Sequence, residues 1–424
     1  MMKRYLLLYV MLLGMTRAFG QFCFQKGNLW FEITSANTVS VFMKSVCYSD
    51  PKIPATITFA GKQYTVTAIK SKGFGGFYHP RELAIPNTVT TIGDSIFVRG
   101  AMVESLTIPS SVTKIGTDAF LGAKLKSLVV EDGNRFYDSR NNCNALIDSR
   151  TNTLLKGSNK AFIPNGVRRI ENNAFHRCYD IAEINMPNTV TSIGDRAFCG
   201  SSSLNSLKLS SSLTDIGKEA FMSVPIGNIV LPNGLKTIGD KAFWGCSLCS
   251  LKIPASVTAI GDAAFAHNKI SSIVVESGNK VYDSRNNCNA IIETETSTLT
   301  LGCSGTTIPT AVPVIGNHAF YGCQGMTSLT IPNSVTRIGN EAFLWCDLKT
   351  IKLPNSVRYI GDYPFEYNGE SNDTVYVSVN IPDSVETIGE RAFFYCDFCD
   401  VTIPASVTKM GGGPFDFRRI KSIV

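Results

Sequence analysis

The sequence predicts a β-rich solenoid, a curved right-handed superhelix of coils about 22–23 residues long, behind a small N-terminal β cap. Three observations carry that expectation. The pattern L-x-x-L-x-I-P-x-x-V-x-x-I-G-x-x-A-F-x-x-C recurs along most of the chain. Its prolines fall mostly 22 or 23 residues apart, from Pro86 and Pro109 through to Pro382 and Pro404. The composition, 44% hydrophobic and only 17% charged, supplies a large core and argues against disorder.

The N-terminal segment reads as a targeting signal. Lys3 and Arg4 precede an apolar run over 5–15, and Ala18-Phe19-Gly20 offers small residues before Gln21. This is the pattern of a secretory signal peptide over 1–20, cut near Gly20-Gln21, and the run is too short to span a bilayer. Cys23 follows Phe22 rather than a small residue, so no lipid anchor is expected. No later segment is long and apolar enough to be a transmembrane helix. The net charge is +6; setting aside Lys3, Arg4 and Arg17 leaves 37 basic against 34 acidic residues, a net of +3. So small and dispersed an excess argues against nucleic acid as a partner.

Residues 21–66 lie outside the repeat. Strand-like runs at 29–33, 39–43, 55–59 and 64–67, with a hairpin turn at Gly61-Lys62, suggest a β cap over the first coil's open face.

The solenoid is expected over 67–424. The alternating L-x-I is a short strand with one buried face, and Pro, which cannot donate to a ladder, ends it. The Gly after Ile is expected to permit a turn at positive φ. The Phe column, from Phe97 and Phe120 to Phe393 and Phe415, should stack as a spine. Each buried Phe contributes roughly 1.5–3 kcal/mol. About 13 coils at ~4.8 Å spacing span roughly 60 Å.

Two steps are 55 residues long, giving extended coils at about 125–164 and 270–309. Each carries the block Asp-Ser-Arg-Asn-Asn-Cys-Asn-Ala, at 138–145 and again at 283–290. One Asp is too little carboxylate for a calcium loop; the block reads as an Asx-turn scaffold bonding its own backbone. A hairpin follows, 290–293 against 298–301, and these coils are expected to bulge from one rim. Residues 420–424 read as the start of a further strand.

This pattern resembles the leucine-rich repeat, specifically the BspA-like family, over about four fifths of the chain. Glu171 in place of Gly, Ser210 in place of Pro, and the Met410-Gly-Gly-Gly run depart from it. The resemblance implies a secreted or surface-displayed protein of a bacterial envelope. It also implies adhesion to host matrix proteins, host cells or other bacteria.

No catalytic, cofactor or metal site is expected. His79, His176, His267 and His318 share no repeat position, so none should be placed together. Cys246-x-x-Cys249 and Cys396-x-x-Cys399 lie too far apart to share a zinc ion. The Cys column three residues after Phe reads as small, buried free thiols, while Cys23 and Cys47 could staple the cap. No nucleophile elbow, P-loop or dinucleotide motif occurs. The expected partner is a large extracellular protein or glycan. It would meet either the outward strand residues Asn185, Lys208, Lys252, Lys352 and Asn380 or rim aromatics at Phe77, Tyr78, Trp244, Trp345 and Tyr367. Glycan capture and a purely structural surface spacer are the alternatives to adhesion.

Overall fold

The computed structural model describes residues 22–44, 50–75, 81–97, 102–366, 378–394, 400–415 and 422–423. The expected signal segment over 1–20, and Cys47, Phe77, Tyr78, His79, Tyr367, Cys396 and Cys399, lie outside the described residues. The chain divides into two compact units, residues 1–151 with 156–160, and residues 152–155 with 161–424.

The first unit opens with β1 (Cys23–Lys26), β2 (Leu29–Ile33), β3 (Thr38–Phe42), β4 (Thr56–Phe59) and β5 (Lys62–Ile69). Strands β1, β2 and β3 form an antiparallel meander. Strands β4 and β5 form a hairpin pairing Phe59 with Lys62, so its turn is Ala60-Gly61, one residue earlier than expected. Both turn residues have positive φ, 50° and 81°, as a tight hairpin needs. From β3 onward the coils pair in parallel: β3 with β5, then β5 with β6 (Thr91–Ile92), where Ala68–Ile69 lies in register with Thr91–Ile92.

In the second unit the coils pair in parallel through two ladders, where the sequence suggested one. The expected L-x-I strands pair in short groups, such as Glu183–Asn185 with Ser206–Lys208. The longer ladder is built from the x-Ile dipeptide before Gly. It runs through Arg169–Ile170, Ser192–Ile193, Asp215–Ile216, Thr237–Ile238 and Ala259–Ile260 in unbroken register.

The Gly column corrects the turn reading. Gly194, Gly217, Gly239 and Gly339 do not have positive φ. They are required because the preceding coil is too close: a Cβ on Gly339 would lie 2.6 Å from the Asn317 nitrogen. The left-handed residue is instead two positions later, where Asn173, Arg196, Glu219, Lys241, His318 and Glu341 have φ between 52° and 57°. Glu171 is tolerated in the Gly slot and still donates its N–H to the Leu154 carbonyl at 2.9 Å. Ser210 likewise keeps the Pro turn, accepting the Leu213 N–H at 3.2 Å.

The Phe spine forms as expected, in two stretches of the second unit. Phe175, Phe198, Phe221, Phe243 and Phe265 stack with centroids 4.8–5.3 Å apart. Phe320, Phe343, Phe365, Phe393 and Phe415 stack at 5.1–5.7 Å. Between them Gly302 occupies the Phe slot of the extended coil, donating its N–H to Ala319 as each Phe does to the next coil. The Phe320 ring lies so close over Gly302 that no Cβ fits there.

The ten described cysteines are free thiols. Their column is more than apolar filling: Cys246 donates its S–H to the Phe221 carbonyl at 2.9 Å and Cys346 to that of Phe320 at 2.8 Å. Ser201 and Asn268 do the same in their coils.

The repeated block is a backbone-bonding scaffold in both copies. Asn144 takes the Leu128 N–H and gives an N–H to the Lys126 carbonyl; Asn289 does so with Ile273 and Ser271. Asp138 and Asp283 are each held by the arginine two residues on, at 2.7 and 2.6 Å. The hairpin of Ile291–Glu293 and Thr298–Leu301 forms as expected, but it does not merely bulge from a rim. Thr298–Leu301 pairs in parallel with Val314–Ile315 and so becomes the extended coil's own ladder strand.

Candidate binding site at the break in the ladder

That hairpin leaves a gap. Thr298–Leu301 is paired on both sides, so no strand among the described residues covers the outer edge of Ala259–Ile260. The N–H and C=O of Ile260 face this opening. The Tyr282 hydroxyl, 2.9 Å away, accepts the N–H. No donor among the described residues meets the carbonyl. The first extended coil repeats the arrangement, with the Tyr137 hydroxyl accepting the Ile115 N–H at 3.0 Å.

A cavity of about 250 Å³ occupies the gap in the second unit. Ile260, Ala264, Phe265 and Leu301 form its apolar wall; Asp262, Thr298, Thr300, Asn317 and His318 bring polar groups.

Asp262 and His318 meet because a ladder is interrupted. In regular coils the Asx side chain after Gly accepts the equivalent N–H of the next coil, as Asp195 does from Lys218 and Asn317 from Asn340. Asp262 has no such coil above it. Its Oδ1 lies instead 2.9 Å from His318 Nδ1, 56 residues away. A carboxylate only accepts, so the imidazole donates. The other ring nitrogen lies 3.4 Å from Glu341 Oε2. Burial pulls the His318 pKa down, but the hydrogen bond and charge of Asp262, with Glu341 behind, outweigh it and hold the imidazole above its ordinary value. The hydrogen bond from His318 likewise holds Asp262 below the usual carboxylate range.

An aromatic cluster adjoins this pair. Trp244 stacks on His267 at 4.9 Å; His267 meets Trp345 edge-on at 5.6 Å; Tyr321 lies 6.0 Å from Trp345 and 5.9 Å from His318. Trp345 is 44% exposed and Trp244 half-buried. Two of the four histidines expected to lie apart, His267 and His318, therefore share Tyr321 as a neighbour: the 55-residue step sets His267 directly against the Phe320 coil, its backbone N–H donating to the Tyr321 carbonyl at 2.9 Å. Burial lowers the His267 pKa, and its Nδ1 has no partner among the described residues. Gly322 makes the approach feasible, since a Cβ there would strike the His267 ring.

Of the residues nominated from sequence, Trp244 and Trp345 belong to this cluster. His267, His318, Tyr321 and Asp262 were missed. A signal existed: relative to Phe, Tyr321 shares the position of Trp244 and His267 that of Trp345. The strand residues lie elsewhere. Asn185 and Lys208 are exposed register partners, with Asn185 donating to Glu183. Lys252 is paired with Glu276 at 2.7 Å, and Lys352 is exposed. Asn380 is in register with Lys352, its side chain outside the described residues. Phe162, 48% exposed just before Ile163-Pro164, holds the same place relative to its proline as these residues, which the long step concealed.

Among the described residues no group of three His, Cys, Asp or Glu side chains is gathered to hold a metal ion. No helix among them is long and apolar enough to cross a membrane.

Three solved structures are similar to the chain. A leucine-rich cell surface protein of Faecalibacterium prausnitzii is 21% identical, the match covering 92% of this chain and 84% of that one, with a TM-score of 0.48. The pneumococcal vaccine antigen PcpA is 20% identical over 92% of this chain and 85% of its own, at 0.45. A leucine-rich repeat protein from Bacteroides ovatus is 18% identical over 92% and 99%, at 0.43. No curated protein sequence matches the chain. The model for the BspA type leucine rich repeat region matches residues 17–145, 157–271, 215–299 and 300–421. The chain therefore belongs to the BspA-type leucine-rich repeat family.

Proposed function

We propose that this protein is an exported, surface-displayed or secreted binding scaffold without enzymatic activity, adhering to large extracellular proteins of a host matrix or of other cells. Segment 1–20 directs export, with cleavage near Gly20-Gln21, residues 21–66 cap the first coil, and residues 67–424 form the repeat scaffold. The observation that carries the reading is the cluster of Trp244, His267, Tyr321 and Trp345 beside an open ladder edge. Aromatic side chains dominate binding hot spots because they bury much area at little entropic cost.

The internal duplication supports a role beyond folding. Aligned at an offset of 145 residues, the first extended coil carries Gly122, His176 and Gly200 where the second has His267, Tyr321 and Trp345. Both copies keep the Tyr, Asn and Ser that hold the coil together. The aromatic cluster is therefore not needed to close an extended coil.

Binding of the purified chain to immobilised fibronectin and fibrinogen tests the reading, with Trp345→Ala as the control. Saturable binding that falls with the substitution supports adhesion. Silence on matrix proteins and on a glycan array alike favours a structural spacer.

A further inference from the structure

We infer that the cavity at the ladder break is a subsite for one pyranose residue of a neutral glycan. The inference rests on the binding-scaffold reading and names a ligand class for part of the site.

The size selects a single ring. At about 250 Å³ the cavity is smaller than the ~300–1,000 Å³ of pockets that take drug-sized ligands. Its chemistry is two-sided. Ile260, Ala264, Phe265 and Leu301 offer an apolar wall, which suits the C–H face of a sugar ring. The other side offers hydrogen-bonding groups of both kinds. The Ile260 carbonyl is an acceptor left unmet by the missing ladder strand. Asp262 keeps a second carboxylate oxygen beyond the one held by His318, and its side chain is 55% exposed. Asn317 uses its carbonyl oxygen on the Asn340 N–H, which leaves its amide N–H₂ as donor. The Thr298 hydroxyl, which accepts from that of Thr296, can still donate, and the Thr300 hydroxyl, which donates to the Ile291 carbonyl, can still accept.

Charge argues for a neutral ligand. A phosphate finds no uncompensated cation, because Asp262 and Glu341 both lie against His318, and an amine must compete with His318 for the Asp262 carboxylate. Hydroxyls that donate to Asp262 and Ile260 and accept from Asn317 fit what is present. From His318 the rings lead outward to Tyr321 and then to exposed Trp345, a surface on which a second sugar residue stacks.

This rim is not a requirement of the fold. The first extended coil carries Thr117 in place of Asp262 and Asn173 in place of His318.

The test is saturation-transfer NMR on the full chain. The probes are methyl pyranosides of glucose, galactose and mannose, N-acetylglucosamine, and their disaccharides. Thr298→Trp fills the cavity from a half-buried position on its wall; Asp262→Asn keeps the volume and removes the anionic acceptor. Millimolar binding of at least one probe is expected, weakened roughly tenfold by either variant, a loss of the size one charged hydrogen bond supplies. Trp345→Ala should weaken the disaccharide and spare the monosaccharide. Should Thr298→Trp fail to fold, Asp262→Asn decides alone. No transfer to any probe, or binding indifferent to both cavity variants, overturns the inference. Matrix-protein binding that persists alongside such a result leaves the scaffold reading standing and removes only the sugar subsite.

Discussion

His318 Nδ1 lies 2.9 Å from Asp262 Oδ1, joining two residues separated by an entire extended coil. The contact arises because a solenoid aligns residues by coil rather than by sequence. When one coil omits part of its circuit, the coils before and after it meet directly at that point. His267 and Tyr321 meet for the same reason.

The His318–Asp262 pair makes stability depend on pH in a defined sense. The imidazole is held above its ordinary pKa, so its contribution is complete below about pH 6.5 and is lost as pH rises through the folded value. Asp262 is held below the carboxylate range, so its contribution is present above about pH 4 and lost as pH falls through its folded value. Asp262→Asn is expected to lower the His318 pKa, read from the imidazole proton shifts. Its destabilisation should be largest near pH 5–6 and shrink above neutrality. A variant whose deficit is flat with pH contradicts this.

Gly339→Ala probes the glycine column. Its Cβ would sit 2.6 Å from both the backbone nitrogen and Oδ1 of Asn317. The coil below cannot retreat without breaking its own ladder bonds, so overpacking of about 1–3 kcal/mol is expected. Gly413, left-handed at φ 52° with open space around it, is the contrasting site. There Ala carries only the local backbone cost, of order 1 kcal/mol. Urea midpoints of the two variants compare these causes.

Much of the fold was legible because the repeat exposes its own physics. Phe and Ile recur at fixed places since each coil must bury them against the next, and Pro marks a strand end by what it cannot donate. What stayed hidden were features defined by neighbours in space. The Gly column looked like a turn requirement until the nitrogen of the coil below was seen beside it. The x-Ile ladder was too short to register as strands. The site was half legible: Trp244 and Trp345 stood out by residue type. His267, His318 and Asp262 did not, because which coils touch across a 55-residue step depends on where the extra hairpin joins the ladder. Phe162 escaped for the same reason.

The thiols should divide by burial. Desolvation pushes Cys246 and Cys323 up to about 12, and it raises Cys346 well above the ordinary thiol value. Thiolate is the reactive form, so these three should resist alkylation in the native state. Cys249 is exposed. Brief maleimide treatment followed by peptide mass spectrometry is expected to label Cys249 within minutes and the other three only after unfolding. Rapid labelling of Cys346 would show that the coils open far more readily than their packing implies.

Tyr282→Phe tests how the chain tolerates a ladder that stops. The ring of Tyr282 is buried, and its hydroxyl is the sole acceptor among the described residues for the Ile260 N–H. Removing it leaves a part-buried donor unmet, which costs about 1 kcal/mol, at the low end for a lost partner because the N–H faces the cavity, whereas the ring's packing is unchanged. Tyr137→Phe removes the matching acceptor of Ile115 and should cost a similar amount. The loss should also be local. Amide exchange at Ile260 should quicken in Tyr282→Phe, while Ile216, held within the ladder on both sides, keeps its protection. If exchange at Ile260 is unmoved, water already serves that N–H, and the tyrosine is present for its ring alone.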